Sequence, residues 1–251
     1  MSETINLGKE KFAKFLSVFN VIRQSCMDLV IKEGKICQLS DRRSAIYQMD
    51  ITPLIGEATL LLGSIAIKAD LLDPFKKQES SMELIVDERS YNFKDDKSEI
   101  IFQIPSERFL TNTFIPQEQL DQKLHVDDSG CIFRTTLDKY LIDRLAALSK
   151  GLSATTIKMK FEEGKAIFIM ISGDKNEVTE AKLIKVDLEQ EITGVCVFPV
   201  QPLLLGENIE LECYRKEDQE NLLLKITFKI EDIPMSVWSL AKLIPVAAVE
   251  E

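Results

Sequence analysis

The chain runs twice through one order of local patterns, and this repeat limits its fold more than any other feature. In the first pass, Phe12, Phe15, Leu16, Phe19 and Ile22 fall on one face of a helix. DLVIK then reads as a strand, Glu33-Gly34-Lys35 as a turn, ICQLS as the returning strand, DRRS as a second turn and AIYQMDI as a third strand. In the second pass, Leu137, Leu141, Leu145 and Leu148, with Ile142 beside them, stripe a helix expected over 136–150. In the strand TIKMKF, Ile157, Met159 and Phe161 alternate with Lys158 and Lys160. Glu163-Gly164-Lys165 turns, AIFIMIS returns, GDKNE turns again and AKLIKVDL follows. A single E-G-K turn means little. The same succession around two such turns, roughly 130 residues apart, points to internal duplication.

The remainder of each half matches more coarsely. SIAIKADLLDPFKKQ reads as a strand and a short helix carrying Lys76 and Lys77, and leads into the strands MELIVDE, SYNFKDD and SEIIFQI. In the second half VCVFPVQPLLL leads into IELECYR, LLLKITFKI and VWSLAKLI. There Pro199 and Pro202 oppose a helix, and the segment has no lysine or arginine. The helix at 136–150 has end signals: Thr135 with Asp138 resembles a capping box with Asp in place of Glu, and Gly151 suits a left-handed stop. PSERFLTNTFIPQEQL, with Pro105 and Pro116, is polar and aperiodic and reads as a connector. The expected organisation is an α+β domain over 1–104, a connecting loop over 105–119 and a similar α+β domain over 120–251.

Several function classes are set aside by composition and motif. No apolar run is long enough for a membrane-spanning helix. MSETINLGKEKF lacks the apolar core of a signal peptide, so a cytoplasmic location is expected, or a nuclear one in a eukaryote. The five cysteines form no C-x-x-C pair and sit in apolar contexts, as reduced, mostly buried thiols do. No phosphate-binding glycine loop, dinucleotide fingerprint or nucleophile elbow is present. His125 is the only histidine, which excludes a catalytic triad or multi-histidine metal site. Asp127-Asp128 before Ser-Gly reads as a solvated turn, as do Asp95 and Asp96 between Lys94 and Lys97. No catalytic residue, metal ligand or cofactor is expected, and no enzyme. The net charge of −10 argues against phosphate binding only if it is evenly spread. It is not: Lys9, Lys11, Lys14 and Arg23 face only Glu3 and Glu10 in residues 1–25, and Arg134, Lys139, Arg144 and Lys150 gather around the second-half helix.

Duplicated α+β halves, an acidic total, basic first helices and a mid-chain connector together resemble the DNA polymerase sliding clamps. These are the proliferating cell nuclear antigen of eukaryotes and archaea and the processivity clamps of tailed phages. Phe114-Ile-Pro-Gln-Glu-Gln-Leu resembles the end of that family's interdomain connecting loop. Leu148-Ser-Lys-Gly-Leu followed by TIKMKFEEGK is similar to the first helix and hairpin of the phage clamps' second domain, and Phe228-Lys-Ile-Glu-Asp with Leu243-Ile-Pro and an acidic end resembles the C-terminal strand and tail. The short stretch between SEIIFQI and the connector favours the phage type.

The resemblance implies a ring of subunits joined head to tail, with helices on its inner face and antiparallel sheets on its outer face. Such a ring encircles double-stranded DNA and tethers the replicative polymerase; an ATP-dependent loader places it on DNA. It implies a homotrimer, with Ile100 and Phe102 on one edge strand meeting Val178 and Leu183 on a neighbour's. It implies Lys11, Lys14, Lys76, Lys77, Lys139, Arg144 and Lys150 as DNA-facing cations. It implies a polymerase-peptide groove at Ala45, Tyr47, Phe114, Ile115, Ile244, Pro245 and Val246. A viral polymerase accessory subunit acting as a monomer or in a mixed ring, and a viral structural or assembly protein with duplicated domains, remain open beside this reading.

Overall fold

The computed structural model describes residues 3–77, 81–105, 114–124, 126, 128–171, 180–215 and 220–245. The chain divides into two units. Unit 1 comprises Met1–Gln119 and Ile230–Met235; unit 2 comprises Leu120–Lys229 and Ser236–Glu251.

Unit 1 runs through β1 (Glu3–Asn6), α1 (Gly8–Ile22), β2 (Asp28–Lys32), β3 (Lys35–Leu39), β4 (Ala45–Asp50), α2 (Thr52–Ile55), β5 (Leu60–Ser64), α3 (Ile65–Leu72), a 3-10 turn (Asp73–Lys77), β6 (Glu83–Val86), β7 (Ser90–Lys94) and β8 (Glu99–Gln103). Its strands pair antiparallel in two rows, β1-β6-β7-β8 and β5-β2-β3-β4. After the helix α4 (Gln117–Leu124), unit 2 runs through β9 (Cys131–Leu137), α5 (Lys139–Gly151), β10 (Thr156–Glu162), β11 (Lys165–Ile171), β12 (Glu180–Asp187), β13 (Gly194–Pro199), a 3-10 turn (Gln201–Leu204), β14 (Ile209–Arg215), β15 (Asn221–Ile230) and β16 (Ile233–Lys242). Its rows are β9-β14-β15-β16 and β13-β10-β11-β12. Strand for strand, the second unit repeats the first.

The two E-G-K turns are the same object. Each closes a hairpin on two central residues, between Lys32 and Lys35 and between Glu162 and Lys165. Glu33 and Gly34 have φ of 50° and 69°; Glu163 and Gly164 have 52° and 70°. Two successive left-handed residues are what a right-twisted hairpin requires. At Gly34 a Cβ would lie 2.2 Å from the Gly56 carbonyl oxygen, so no larger residue fits without movement of the backbone.

The 114–151 segment holds more than a linker and a helix. Its apolar run CIF opens β9, which includes Thr135 and Leu137. The helix starts at Lys139, capped by Asp138, whose side chain accepts the Leu141 N–H at 2.9 Å. Asp138 thus caps directly rather than as the distal half of a box begun by Thr135. Gly151 is the last helical residue, and the left-handed position falls on Ser153 at φ 50°. Similarly, SIAIK is not a strand; it is the junction at Ser64 where β5 passes into α3. The GDKNE turn lies outside the described residues.

Aromatic packing fills the core of unit 1. Phe93 on β7 lies 6.5 Å from Phe12, 6.2 Å from Phe15 and 5.9 Å from Phe102, ring centre to ring centre. Phe15 and Phe19 stack along α1 at 4.5 Å. In unit 2, Phe133 meets Phe168 edge-on at 5.9 Å. The five cysteines are buried and unbridged, and burial holds the Cys26 thiol up at about 12.

Candidate nucleic-acid interface

Helix α1 buries Phe12, Phe15, Leu16, Val18, Phe19 and Ile22. That stripe leaves Lys9, Glu10 and Lys11 exposed and Lys14 half-covered. Lys14 bonds to Glu10 at 2.8 Å and to Asp232 at 3.1 Å, and these hydrogen bonds raise its pKa. At the end of α1, Arg23 pairs with Asp70 of α3 at 2.5 Å. The pair borders an open groove of about 510 Å³ lined by Asn20, Arg23, Gln24, Ala69, Asp70 and Asp73. Lys76 is exposed on the 3-10 turn; Lys77 ends that turn.

In unit 2, α5 buries Ile142 and Leu145, with Leu141 and Leu148 only half-buried. Tyr140, Asp143, Arg144, Ala147 and Lys150 are exposed. Lys139 bonds to Glu207 at 2.7 Å, which raises its pKa. Gln201–Leu204 makes only a 3-10 turn with Pro202 and Leu203 buried, so this position adds no cation.

Of the seven cations expected to face DNA, then, Lys14 and Lys139 are engaged by carboxylates. Lys11, Lys76, Arg144 and Lys150 are exposed and form no ion pair among the described residues, and the Lys77 side chain lies outside the described ones. Besides Lys9, two further cations lie on or beside the helices of unit 1. Arg23 is one; its partner lies 47 residues away, a pairing no local pattern announces. Lys68 is the other: it sits 5.3 Å over the Phe102 ring, and burial lowers its pKa while Asp28 opposes that.

The expected interface strands stand at row ends: β8 closes β1-β6-β7-β8 and β12 closes β12-β11-β10-β13. On β8 the side chains fall differently from expectation. Phe102 packs inward against Phe93, while Ile101 is 54% exposed and Ile100 half-buried. A strand presents alternate residues to alternate faces, so it is Ile101, one position away, that faces outward. Leu183 on β12 is half-buried; Val178 lies outside the described residues.

The same one-residue displacement occurs on β4. Ala45 and Tyr47 are 3% and 1% exposed, and the Tyr47 hydroxyl hydrogen-bonds Ser25 Oγ at 2.6 Å. Both are buried where groove positions were expected; Ile46, between them, faces the other way and is half-buried. Phe114 bridges to Gln38, the Ile115 N–H donates to the Cys37 carbonyl at 3.0 Å, and Lys32 lies 4.7 Å over the Phe114 ring. These residues tie the connector to unit 1 and remain half-buried. In unit 2, Ile244 exchanges two backbone hydrogen bonds with Val195, both 2.8 Å, and both Ile244 and Pro245 are exposed. Val246, His125 and Asp127 lie outside the described residues.

No group of three or more metal-ligating side chains gathers among the described residues, and none of their helices is long and apolar enough to cross a membrane. Asp95 is buried as a turn former, its Oδ1 accepting the N–H groups of Lys97 at 2.8 Å and Ser98 at 2.6 Å.

No protein-family profile matches the sequence, and no curated protein matches it. Solved structures do. A PCNA2–PCNA3 complex from Sulfolobus tokodaii superposes with a TM-score of 0.59 at 13% identity over 95% of this chain and 99% of that one. The proliferating cellular nuclear antigen of Entamoeba histolytica gives 0.56 at 11% identity over 96% and 98%. The H. pylori beta clamp in complex with 5-chloroisatin gives 0.62 at 14% identity over 96% of this chain but 66% of that one. The chain has the sliding-clamp fold.

Proposed function

We propose that this chain is a DNA sliding clamp. Copies join head to tail into a closed ring around duplex DNA and hold a replicative polymerase at the primer end, after an ATP-dependent loader opens and closes the ring. The observation that carries this reading is the clamp fold over nearly the whole chain, with a full strand-for-strand repeat between its two units. The role makes and breaks no covalent bond.

Ring closure is assigned to β8 and β12. A heterologous interface that closes on itself needs two different complementary surfaces, and each strand ends its row. β8 is the better marked. Ile101 is exposed, and Ile67 and Leu71, which flank the Lys68 that lies over Phe102, are exposed too. Exposed apolar side chains on an open edge strand suit a protein partner. A homotrimer is the first reading. A mixed ring is the second, because the Sulfolobus tokodaii match is a complex of two different subunits.

Contact with DNA falls to Lys11, Lys76, Lys77, Arg144 and Lys150, with Lys14 and Lys139 beside them. Phosphate contacts carry no sequence information, so the ring slides and retention is topological. Polymerase docking is assigned to Ile46 and Ile115 on unit 1 and, separately, to Ile244 and Pro245 on unit 2. The setting is a phage-infected cytoplasm or, in a eukaryote, the nucleus.

Primer extension on a long circular template, with a matched loader, tests the reading. The protein should lengthen products made in one binding event. Ile46→Ala with Ile115→Ala should remove that effect and leave the assembly mass unchanged. Product lengths that do not respond to the wild-type protein would overturn the reading.

A further inference from the structure

Part of this chain's set of cations on or beside helices is guarded. Three of them bond to carboxylates more exposed than the cations themselves. Asp232 is 71% exposed beside Lys14 at 21%, Asp70 is 73% beside Arg23 at 35%, and Glu207 is 74% beside Lys139 at 61%. Glu10 adds a second carboxylate on Lys14. The arrangement recurs in both units on different local frameworks: a turn residue in one case, a residue of α3 in another and a loop residue after the 3-10 turn in the third.

Exposed ion pairs are weak, so a phosphate can displace the carboxylate. It must do so against a tethered competitor, and part of each phosphate contact is then spent on breaking a contact already made. The displaced carboxylate also stays near the duplex and repels it. The groove of about 510 Å³ beside Arg23 and Asp70 is open, so Asp70 is the obstacle there, not steric access.

We infer that Asp70, Glu207 and Asp232 act as built-in competitors of DNA phosphate, holding this chain's grip on duplex DNA weak. The inference rests on the sliding-clamp reading and deepens it by naming residues that oppose binding. Weak contact suits a ring that is retained by its closure and must move along the duplex. A guarded cation contributes less than a full phosphate neutralisation to the salt slope, whereas Lys11, Lys76, Arg144 and Lys150 contribute fully.

The experiment measures affinity of the full chain for linear duplex DNA between 50 and 200 mM salt, which needs neither loader nor polymerase. Each counterion-releasing contact steepens the log–log slope by about 0.9, or roughly a 3.5-fold greater loss of affinity across that range. Asp70→Asn, Glu207→Gln, and Asp232→Asn combined with Glu10→Gln because Glu10 also holds Lys14, should each raise affinity at low salt and steepen the slope toward that amount. Together they should give about a 40-fold greater loss across the range. Arg23→Gln added to Asp70→Asn should cancel the gain from the latter, because the gain belongs to the released guanidinium. Unchanged slopes in all three variants, or a gain that survives Arg23→Gln, would overturn the inference. If reversal of Lys11, Lys76, Arg144 and Lys150 also leaves DNA affinity unchanged, the sliding-clamp reading fails with it; if that reversal weakens binding, the inference alone fails.

Discussion

Units 1 and 2 share every strand and differ in their helices. In unit 1, α1 buries six side chains and is followed later by α3 and a 3-10 turn. In unit 2, α5 buries two, and the place of α3 is held by a four-residue turn with Pro202 at its start. The physical reason is an asymmetry of cost. A strand removed from a row orphans N–H and C=O groups on its neighbours. A helix satisfies its own backbone, so it can shorten as long as the apolar side chains beneath it stay covered. Duplicated strand pairing therefore persists while the helix side diverges. The cations follow: unit 1 carries Lys9, Lys11, Lys14, Arg23, Lys68, Lys76 and Lys77 on or beside its helices, whereas unit 2 carries Lys139, Arg144 and Lys150 on α5 and Lys123 on α4.

The largest expected effect breaks this comparison at the core. Phe93→Ala removes the ring shared by Phe12, Phe15 and Phe102 and should cost unit 1 about 3–5 kcal/mol. The single tryptophan, Trp238, belongs to unit 2, so its fluorescence reports on that unit. In denaturant, the backbone circular dichroism of the variant should start to fall before Trp238 fluorescence changes. Coincident transitions would mean that the units unfold as one. A second comparison concerns DNA. Reversing Lys11 and Lys76 in unit 1 should flatten the salt slope by about 1.8, and reversing Arg144 and Lys150 in unit 2 should do the same. Unequal changes would show that one unit bears most of the contact.

The smallest effect concerns a feature of unit 2. Glu212 on β14 receives Lys225 at 2.8 Å and Arg134 at 3.4 Å from the adjacent strands, a three-strand ladder of alternating charge. Burial pushes its pKa up, but the hydrogen bond and charge of Lys225, with Tyr214 and Arg134, push it further down, so the net shift is downward. A lowered folded pKa stabilises above the unfolded value, and that contribution is lost as pH falls through the folded one. Because Glu212 remains partly solvated, the contribution is about 1 kcal/mol or less. Glu212→Gln should lower the unit 2 melting temperature slightly at pH 7, and the difference should shrink as the pH falls through the lowered pKa of Glu212.

Much of the strand order was legible in the sequence, because alternation and the two E-G-K turns are local signals. β1 and β9 were not. ETIN is too short to show a period, and the apolar opening of CIFRTTL sits in a segment that otherwise reads as linker. Helix α4 escaped for a related reason: QEQLDQKL offers one apolar residue per turn. Site residues fared unevenly. The exposed cations Lys11, Lys76, Arg144 and Lys150 could be read from helix position. Ala45, Tyr47 and Phe102 prove to lie on the buried faces of β4 and β8, because a period of two fixes the alternation and not which set turns inward. The Arg23–Asp70, Lys14–Asp232 and Lys139–Glu207 pairs join residues 47, 218 and 68 positions apart, beyond any local pattern.

The claim beneath all of this is that two unlike row ends, β8 and β12, join copies of the chain into a ring. Mass measurement in solution at micromolar concentration, on the wild type and on Ile101→Lys, addresses it most directly. The account predicts three chains of 28.5 kDa per assembly for the wild type and single chains for the variant, with unchanged circular dichroism. A wild-type protein that remains a single chain under these conditions, or an assembly that Ile101→Lys leaves intact, would contradict it.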